Sequence, residues 1–568
     1  MCKVSDFLDI SFPKVHIQFS DIKSTTYFGW FQAMMRVKMV LKSLLNCFVN
    51  FVFGFMSLII NGDRPLARIP PVKNPIIFES ASSLARKIRS RQLKCQVVVE
   101  AYIQRIKEVN DLLNAVVSYR FNEALDEAEH IDEMLDSGDV PDRYSEKNAP
   151  FLGVPLTVKE AFSVIDQPNT SGLVNRKGLM SDRDAPIVAN LRRAGCVILG
   201  VTNVSELCMW YESANFVYGR TNNPYDVRRI VGGSSGGEGC ILGGAGSVIG
   251  VGSDIGGSIR MPAFFNGVFG HKPSPGVVLN SGQFPTAGKE RDCMLGTGPM
   301  CRFAIDLEPM LRIMAGNYGL SKLKLDNPVD LRNLRYFSIG DDVRLNLVSA
   351  LDPELKKAQE QVRTYLETSL GVTVQRIQLH RLKYSLDMWF SLMSNIDNES
   401  FVNLMGNNGP KVYPFWEGVK RAFGMSTHTV PAIMLGMIEG LDKLMPERTK
   451  RLLEKLQRFR EEIENILGED GVLICPSHPK LAPFHNAPFL YPFNFAYTAA
   501  FNILSLPATQ VPLGLSAQGL PLGIQVAANK YNDHLTLAVA RELEKGFGGW
   551  TAPVGMGLHH ETIEQSRA

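Results

Sequence analysis

One large α/β unit is predicted by two features of the chain: apolar strand-like runs alternate with stretches of helical periodicity, and the composition supplies core for both. The 568 residues are 45% hydrophobic and include 49 glycines. No internal repeat or low-complexity tract breaks the alternation.

Residues 1–75 read as a separate piece. Ser43 to Gly62 is uncharged and mostly apolar, near the length of about 20 residues that crosses a bilayer. Arg36, Lys38 and Lys42 precede it, and it ends without the small-x-small site of a cleavable signal. A single-pass anchor is expected over 43–62; Asn46 and Asn50 keep an in-plane interfacial helix as the alternative. Pro65, Pro70, Pro71 and Pro75 mark an extended linker. Residues 76–568 then form one large domain.

Within that domain Leu84, Ile88, Val97, Val98, Ala101, Ile103, Ile106 and Val109, then Ala124, Leu125, Ala128 and Ile131, recur at helical spacing. These helices should clasp the core. Val197 to Val201, Val248 to Val251, Val472 to Ile474 and Gly523 to Val526 are short and apolar, as strands buried on both faces are. Phe151 to Glu160 is another such run, closed by Lys159.

Composition narrows the function classes. A net charge of +3 with scattered basic residues gives no footing for nucleic acid. Nine cysteines form no CxxC pair and no zinc spacing, so neither a metal nor a disulfide framework is implied. The sequence implies no cofactor.

Two serine-bearing glycine turns, Gly233-Ser234-Ser235-Gly236 and Gly256-Gly257-Ser258, flank small apolar runs. Glycine lets the backbone approach a ligand and aim several N–H groups at one spot, which suits acyl transfer. Neither turn carries the Gly-Lys-Ser/Thr of a P-loop or a GxGxxG spacing, which argues against nucleotide binding. A serine nucleophile needs a base. His271, His478 and His485 are mid-chain candidates without local support. Lys159 is the better one, because a desolvated lysine has a lowered pKa and is partly neutral; taken alone, a strand-end lysine more often snorkels to water.

The segments VPLTVKEAF, TNVSELCMWYESAN, NNPYD, GGSSGGEG, GSDIGGSIRMPAFFNGVFGHKPS and GLPLGIQV resemble the amidase signature family. The similarity runs from about Ser80 to about Trp550 and is greatest to the membrane-bound fatty-acid amide hydrolases. The resemblance implies a mixed central β-sheet of roughly eleven strands with helices on both faces. It implies Ser258 as the acyl-forming nucleophile, Ser234, after a cis peptide bond, as the bridge, and Lys159 as the base, with Ser235 supporting the bridge. Backbone N–H groups of Ile255, Gly256, Gly257 and Ser258 would form the oxyanion hole. Ser253 stands where many relatives have threonine, which keeps the hydroxyl. Asp254 and Arg260 are read as the scaffold of the loop.

Cys208, Met209 and Trp210 fall in the family's substrate-proximal segment and are assigned to the acyl pocket. Residues 383–445 carry Trp389, Phe390, Met393, Tyr413, Phe415, Trp416, Phe423, Met425, Met434, Met437 and Met445. Such a stripe is usually core, but in a tethered lipid amidase a face rimmed by Lys411, Lys420 and Arg421 would lie on the bilayer. The expected partners are a lipid-amide substrate and the membrane, with a homodimer left open. Two readings stand beside this one: an amidase for other amides, such as an amidotransferase subunit, and a lipid-amide binding protein on the same fold.

Basic residues ahead of the apolar run place the amino terminus in the cytosol and the catalytic domain in the lumen, in the endoplasmic reticulum or another endomembrane. There Asn169 and Asn398 are expected to carry glycans, while Asn203 stays bare.

Overall fold

Alternating runs of β-branched residues and small residues build the strands that order the molecule, and a computed structural model places them. It describes residues 67–553 except 287, 289–290, 340–344, 395–398, 408 and 440–444. The apolar run 43–62 and Asn398 therefore lie outside the described residues. Among the described residues, no helix is long and apolar enough to cross a membrane.

The strands are β1 (Val116–Tyr119), β2 (Pro155–Lys159), β3 (Val197–Thr202), β4 (Ala214–Asn215), β5 (Gly219–Arg220), β6 (Ile249–Asp254), β7 (Phe269–Lys272), β8 (Gly296–Cys301), β9 (Arg335–Ile339), β10 (Val374–Ile377), β11 (Gly471–Cys475), β12 (Ala508–Leu515) and β13 (Pro521–Ala528). Eleven of them form one sheet in the order β1-β3-β2-β6-β8-β7-β12-β13-β11-β9-β10, and β4 and β5 pair apart from it. The sheet is mixed: β3, β2 and β6 run parallel, as do β11, β9 and β10, while the strands between pair antiparallel. Of the apolar runs expected as strands, Val197 to Val201, Val472 to Ile474 and Gly523 to Val526 lie within β3, β11 and β13, while β6 begins one residue past Val248 and β2 takes up only Pro155–Lys159 of the run Phe151 to Glu160. Every residue of β2, β3 and β6 is buried, which explains why these strands read as continuous rather than alternating.

The periodicity between Ser80 and Leu135 resolves into helices Ala81–Arg89, Cys95–Leu113 and Phe121–Ser137. Acids from elsewhere cap the first two. Asp306 accepts Ala81 N at 2.8 Å and Ser82 N at 2.9 Å, and Asp132 accepts Cys95 N and Gln96 N, both at 2.9 Å. Each satisfies helix-end donors with a charge of favourable sign. Leu84, Ile88, Val98, Ile106 and Val109 are fully buried, whereas Val97 is 44% exposed. Between the second and third helices the periodicity concealed strand β1, a four-residue edge strand.

Helix Gly236–Gly243 runs against β2, β3, β6 and β8. Its first turn is glycine-rich where the chain leaving β3 passes close by: a Cβ on Gly237 would stand 2.4 Å from Asn203 N. The seven described cysteines are free thiols, five of them buried.

Candidate active site

Parallel register sets Lys159 beside its hydrogen-bonding partners. β2 and β6 pair in register from Leu156↔Ile249 to Val158↔Val251, so Lys159 and Ser253 lie near the carboxyl ends of two neighbouring strands, with Ser253 still paired to Thr297 of β8. That edge is where sites in parallel sheets form. Lys159 is fully buried. Its Nζ donates to Ser234 Oγ at 2.8 Å, to Ser253 Oγ at 2.9 Å and to Ser253 O at 3.5 Å. Burial lowers its pKa below the ordinary lysine range, opposed by the nearby Cys208, Asp254 and Glu238. Burial raises the pKa of Glu238 itself to about 8, against the lowering effect of hydrogen bonds from Thr157 and Thr202 and of the Lys159 charge.

Ser234 follows a cis Gly233–Ser234 peptide bond and precedes Ser235, the N-cap of helix Gly236–Gly243. Ser258 lies one residue past Gly257 and precedes helix Arg260–Phe265. Ser234 and Ser258 line the same cavity of about 440 Å³; the structure contains no hydrogen bond between their side chains, and such contacts commonly tighten only with substrate bound. Ser235 braces the arrangement: its N–H donates to Ser258 O at 3.2 Å, and its hydroxyl bonds both Ser253 O and Ser253 N at 3.3 Å.

The turn that carries Ser258 is held from below by Asp254. Oδ1 accepts Gly257 N at 2.7 Å, and Oδ2 accepts Ile259 N at 3.1 Å. Arg260 pairs with the same carboxylate through Nε at 3.0 Å and Nη2 at 2.9 Å, with both side chains fully buried. Burial raises the Asp254 pKa, but Arg260 and Lys272 outweigh it and hold the acid at about 2. Gly257 adopts φ +129°, and a Cβ there would meet Thr498 Oγ1 at 2.1 Å, so only glycine fits.

This geometry corrects one expected role. The Gly257 N–H is aimed at Asp254 rather than at the cavity. The N–H groups of Ile255, Gly256 and Ser258 donate to no described protein group, and these three residues line the apolar cavity described below. Two unforeseen side chains orient these peptides: Trp389 Nε1 donates to Ile255 O at 2.9 Å and Thr498 Oγ1 to Gly256 O at 2.8 Å. A trans peptide points its N–H opposite to its carbonyl, so each contact also sets the direction of the next N–H. Trp389 was visible in the sequence only as part of an apolar stripe; nothing marked Thr498.

Cys208 is half-buried, lies in the left-handed region at φ +58° and lines both cavities that meet at Ser258. The second cavity, about 190 Å³, is walled by Met209, Trp210, Met434, Phe493 and other apolar side chains. The stripe at 383–445 divides accordingly. Met388 and Trp389 are core, while Phe415, Trp416, Phe423 and Met425 are 70%, 60%, 76% and 72% exposed. The exposed part is tied to the Cys208 loop, because Glu206 accepts Thr429 N at 2.7 Å and lies 2.8 Å from His428 Nδ1.

The three histidines lie in other networks: His271 with Thr509 and Asp533, His478 with Lys480 O, His485 with Glu212. Asn169 is buried and its amide donates to Ala161 O at 2.9 Å, so it cannot accept the expected glycan. Asn203 is fully buried.

The amidase family model matches residues 97–537. The chain is 50% identical over 524 residues to fatty-acid amide hydrolase 2 of Homo sapiens, covering 91% of this chain and 98% of that protein. It is 49% identical over 527 residues to fatty-acid amide hydrolase 2-A of Danio rerio, covering 92% and 98%. A solved fatty acid amide hydrolase shares the fold, with a TM-score of 0.68 at 22% identity over 84% of this chain and 87% of that one. By this match and these half-identical relatives, the chain belongs to the amidase family of amide-hydrolysing enzymes.

Proposed function

We propose that the chain is a membrane-associated serine hydrolase that cleaves fatty-acid amides, including long-chain primary amides and N-acylethanolamines, to fatty acid and ammonia or amine. The observation that carries the reading is the buried Lys159–Ser234 hydrogen bond at 2.8 Å, with Ser258 on the same cavity wall and an apolar pocket alongside. The half-identical relatives bear the name of that activity.

In this mechanism neutral Lys159 takes the proton of Ser234 as Ser234 takes that of Ser258, which attacks the amide carbon. The oxyanion faces the N–H groups of Ile255, Gly256 and Ser258. The proton returns through Ser234 to the amide nitrogen, without which the C–N bond would expel a poor leaving group. Water then cleaves the acyl ester of Ser258 by the same relay. The acyl chain lies in the apolar cavity beside Cys208 and Met209.

The bilayer is met by the exposed face of helices Pro414–Ala422 and Val430–Ile438. Phe415, Trp416, Met434 and Met437 are exposed there, and Met434 also lines the apolar cavity, so this face joins membrane to site. Lys411, Lys420 and Arg421 rim it, as cations beside anionic headgroups. Residues 43–62 provide a second attachment ahead of the catalytic domain, which the preceding basic residues place in the lumen.

A fluorophosphonate probe and an amide panel test the chemistry. Labelling at Ser258 and turnover of oleamide are expected. Ser258→Ala should lose both, while Ser234→Ala and Lys159→Ala should each fall by orders of magnitude without adding up, since the three act as one relay. Wild-type turnover by Lys159→Ala would refute the lysine base. Full protease digestion of intact microsomes would refute the lumenal placement.

A further inference from the structure

Four consecutive peptides carry the N–H groups of Ile255, Gly256, Gly257 and Ser258, and each is fixed through the carbonyl on its other edge. Asn502 Nδ2 donates to Asp254 O at 3.0 Å, Trp389 Nε1 to Ile255 O at 2.9 Å, Thr498 Oγ1 to Gly256 O at 2.8 Å and Met261 N to Gly257 O at 2.8 Å. Of the four donors, only the indole belongs to a side chain that walls both cavities meeting at Ser258. Trp389 lies on helix Ser385–Ser394 and is 5% exposed. Its ring meets Phe390 and Phe495 edge to face, each with 5.2 Å between centroids, and both phenyl rings line the apolar cavity with it. A Cβ on Gly256 would stand 3.5 Å from Trp389 Nε1, so the indole rests directly against the peptide it holds. Among the described residues, Ile255 O has no other donor.

The Ile255–Gly256 peptide is trans, so the Gly256 N–H points opposite to the carbonyl that Trp389 holds. Attack by Ser258 Oγ moves the carbonyl electron pair onto the substrate oxygen. A donor already aimed at that oxygen stabilises the transition state more than the bound substrate, and so raises kcat rather than lowering KM. An acyl chain packed on the indole, Phe390 and Phe495 confines the ring and with it the Gly256 N–H, whereas a short acyl group leaves this wall uncovered. Binding energy gained along the chain is thereby delivered at the reacting carbonyl.

Resting on the fatty-acid amide reading above, we propose that Trp389 is a positioning residue through which the length of the acyl chain sets kcat. It transfers no proton and forms no bond to substrate: its indole N–H stays on Ile255 O while Ser258 takes up and releases the acyl group.

Oleamide and hexanamide release the same ammonia, so the ratio of their kcat values on the full-length protein in detergent isolates the chain. The wild type is expected to have a kcat for oleamide about tenfold or more above that for hexanamide. Trp389→Phe keeps an aromatic ring and loses the donor. It should lower kcat for oleamide by about 10–100-fold, less than outright loss of an oxyanion donor, with KM within about threefold of wild type. Its kcat for hexanamide should fall much less, so the ratio drops toward one, whereas a general loosening of the fold would lower both together. Phe390→Leu keeps the donor and removes one edge of its support, and should give an intermediate ratio; it decides the matter if Trp389→Phe no longer labels with fluorophosphonate. Wild-type kcat values within about twofold of each other, or ratios in the folded variants within about twofold of wild type, would overturn the inference alone. Failure of the underlying reading looks different: protein labelled at Ser258 that hydrolyses hexanamide but not oleamide, or neither amide, overturns both.

Discussion

Replacing Asp254 by asparagine removes one charge and almost no volume from beneath the Ser258 turn. Oδ1 now accepts Gly257 N, Arg260 Nη2 and Asn502 Nδ2 at 2.7, 2.9 and 2.9 Å. Oδ2 accepts Ile259 N, Arg260 N and Arg260 Nε at 3.1, 3.3 and 3.0 Å. Asparagine keeps one oxygen, and its NH₂ must then face three donors. Lowering the acid from 3.8 to about 2 corresponds to about 2.5 kcal/mol. That figure counts only the proton, since a neutral carboxyl still accepts; stranding Arg260 raises the expected loss to about 3–5 kcal/mol. The sign follows from a depressed acid: its stability is present above pH 3.8 and lost as pH falls through about 2. The gap between wild type and Asp254→Asn should therefore narrow by about 1 kcal/mol from pH 7 to pH 3. Release of the turn should slow Ser258 labelling by about 100-fold, as a displacement of about 1 Å does. Denaturant unfolding at the two pH values and the rate of fluorophosphonate labelling measure both effects. A variant within about 1 kcal/mol of wild type that labels at full rate would refute the scaffold role of Asp254.

Because Lys159 must be neutral to act, acylation should accelerate from mildly acidic toward alkaline pH; a flat profile between about pH 6 and 9 with acylation rate-limiting would count against it. Burial, abetted by Arg260 and opposed by Asp254 and Asp533, lowers the pKa of fully buried Lys272 from 10.5 to about 7. The unfolded chain then binds more protons, so wild type should gain about 2.5 kcal/mol of stability relative to Lys272→Met from pH 6 to pH 9; parallel unfolding curves would show the lysine is not depressed. Glutamate at both Phe415 and Trp416, each more than half exposed, should lower turnover of a vesicle-borne long-chain amide by about tenfold. Turnover of a soluble short amide should be retained, and equal losses on both would remove the membrane role.

The sequence by itself determined what depends on local pattern. Apolar runs too short and too continuous for surface helices became β3, β6, β11 and β13 because both their faces are covered, and the two glycine-serine turns were legible since Gly233, Gly236 and Gly257 have neighbours too close for a Cβ. The local pattern singled out the two serine turns and Lys159, while the separate roles of Lys159, Ser234 and Ser258 came from the resemblance to the amidase signature family. Tertiary structure alone decided what depends on distant partners. The Gly257 N–H turned to Asp254 instead of the cavity, and Ile255 and Gly256 were oriented by Trp389 and Thr498, far along the chain. β1 escaped notice because its four residues, only one of them buried, lack a pattern until β3 pairs with them. Asn169 looked like a surface sequon until the fold buried it. The stripe at 383–445 could be assigned to core or surface only by what packs on it, because hydrophobicity is a property of a side chain and burial is a property of its neighbours.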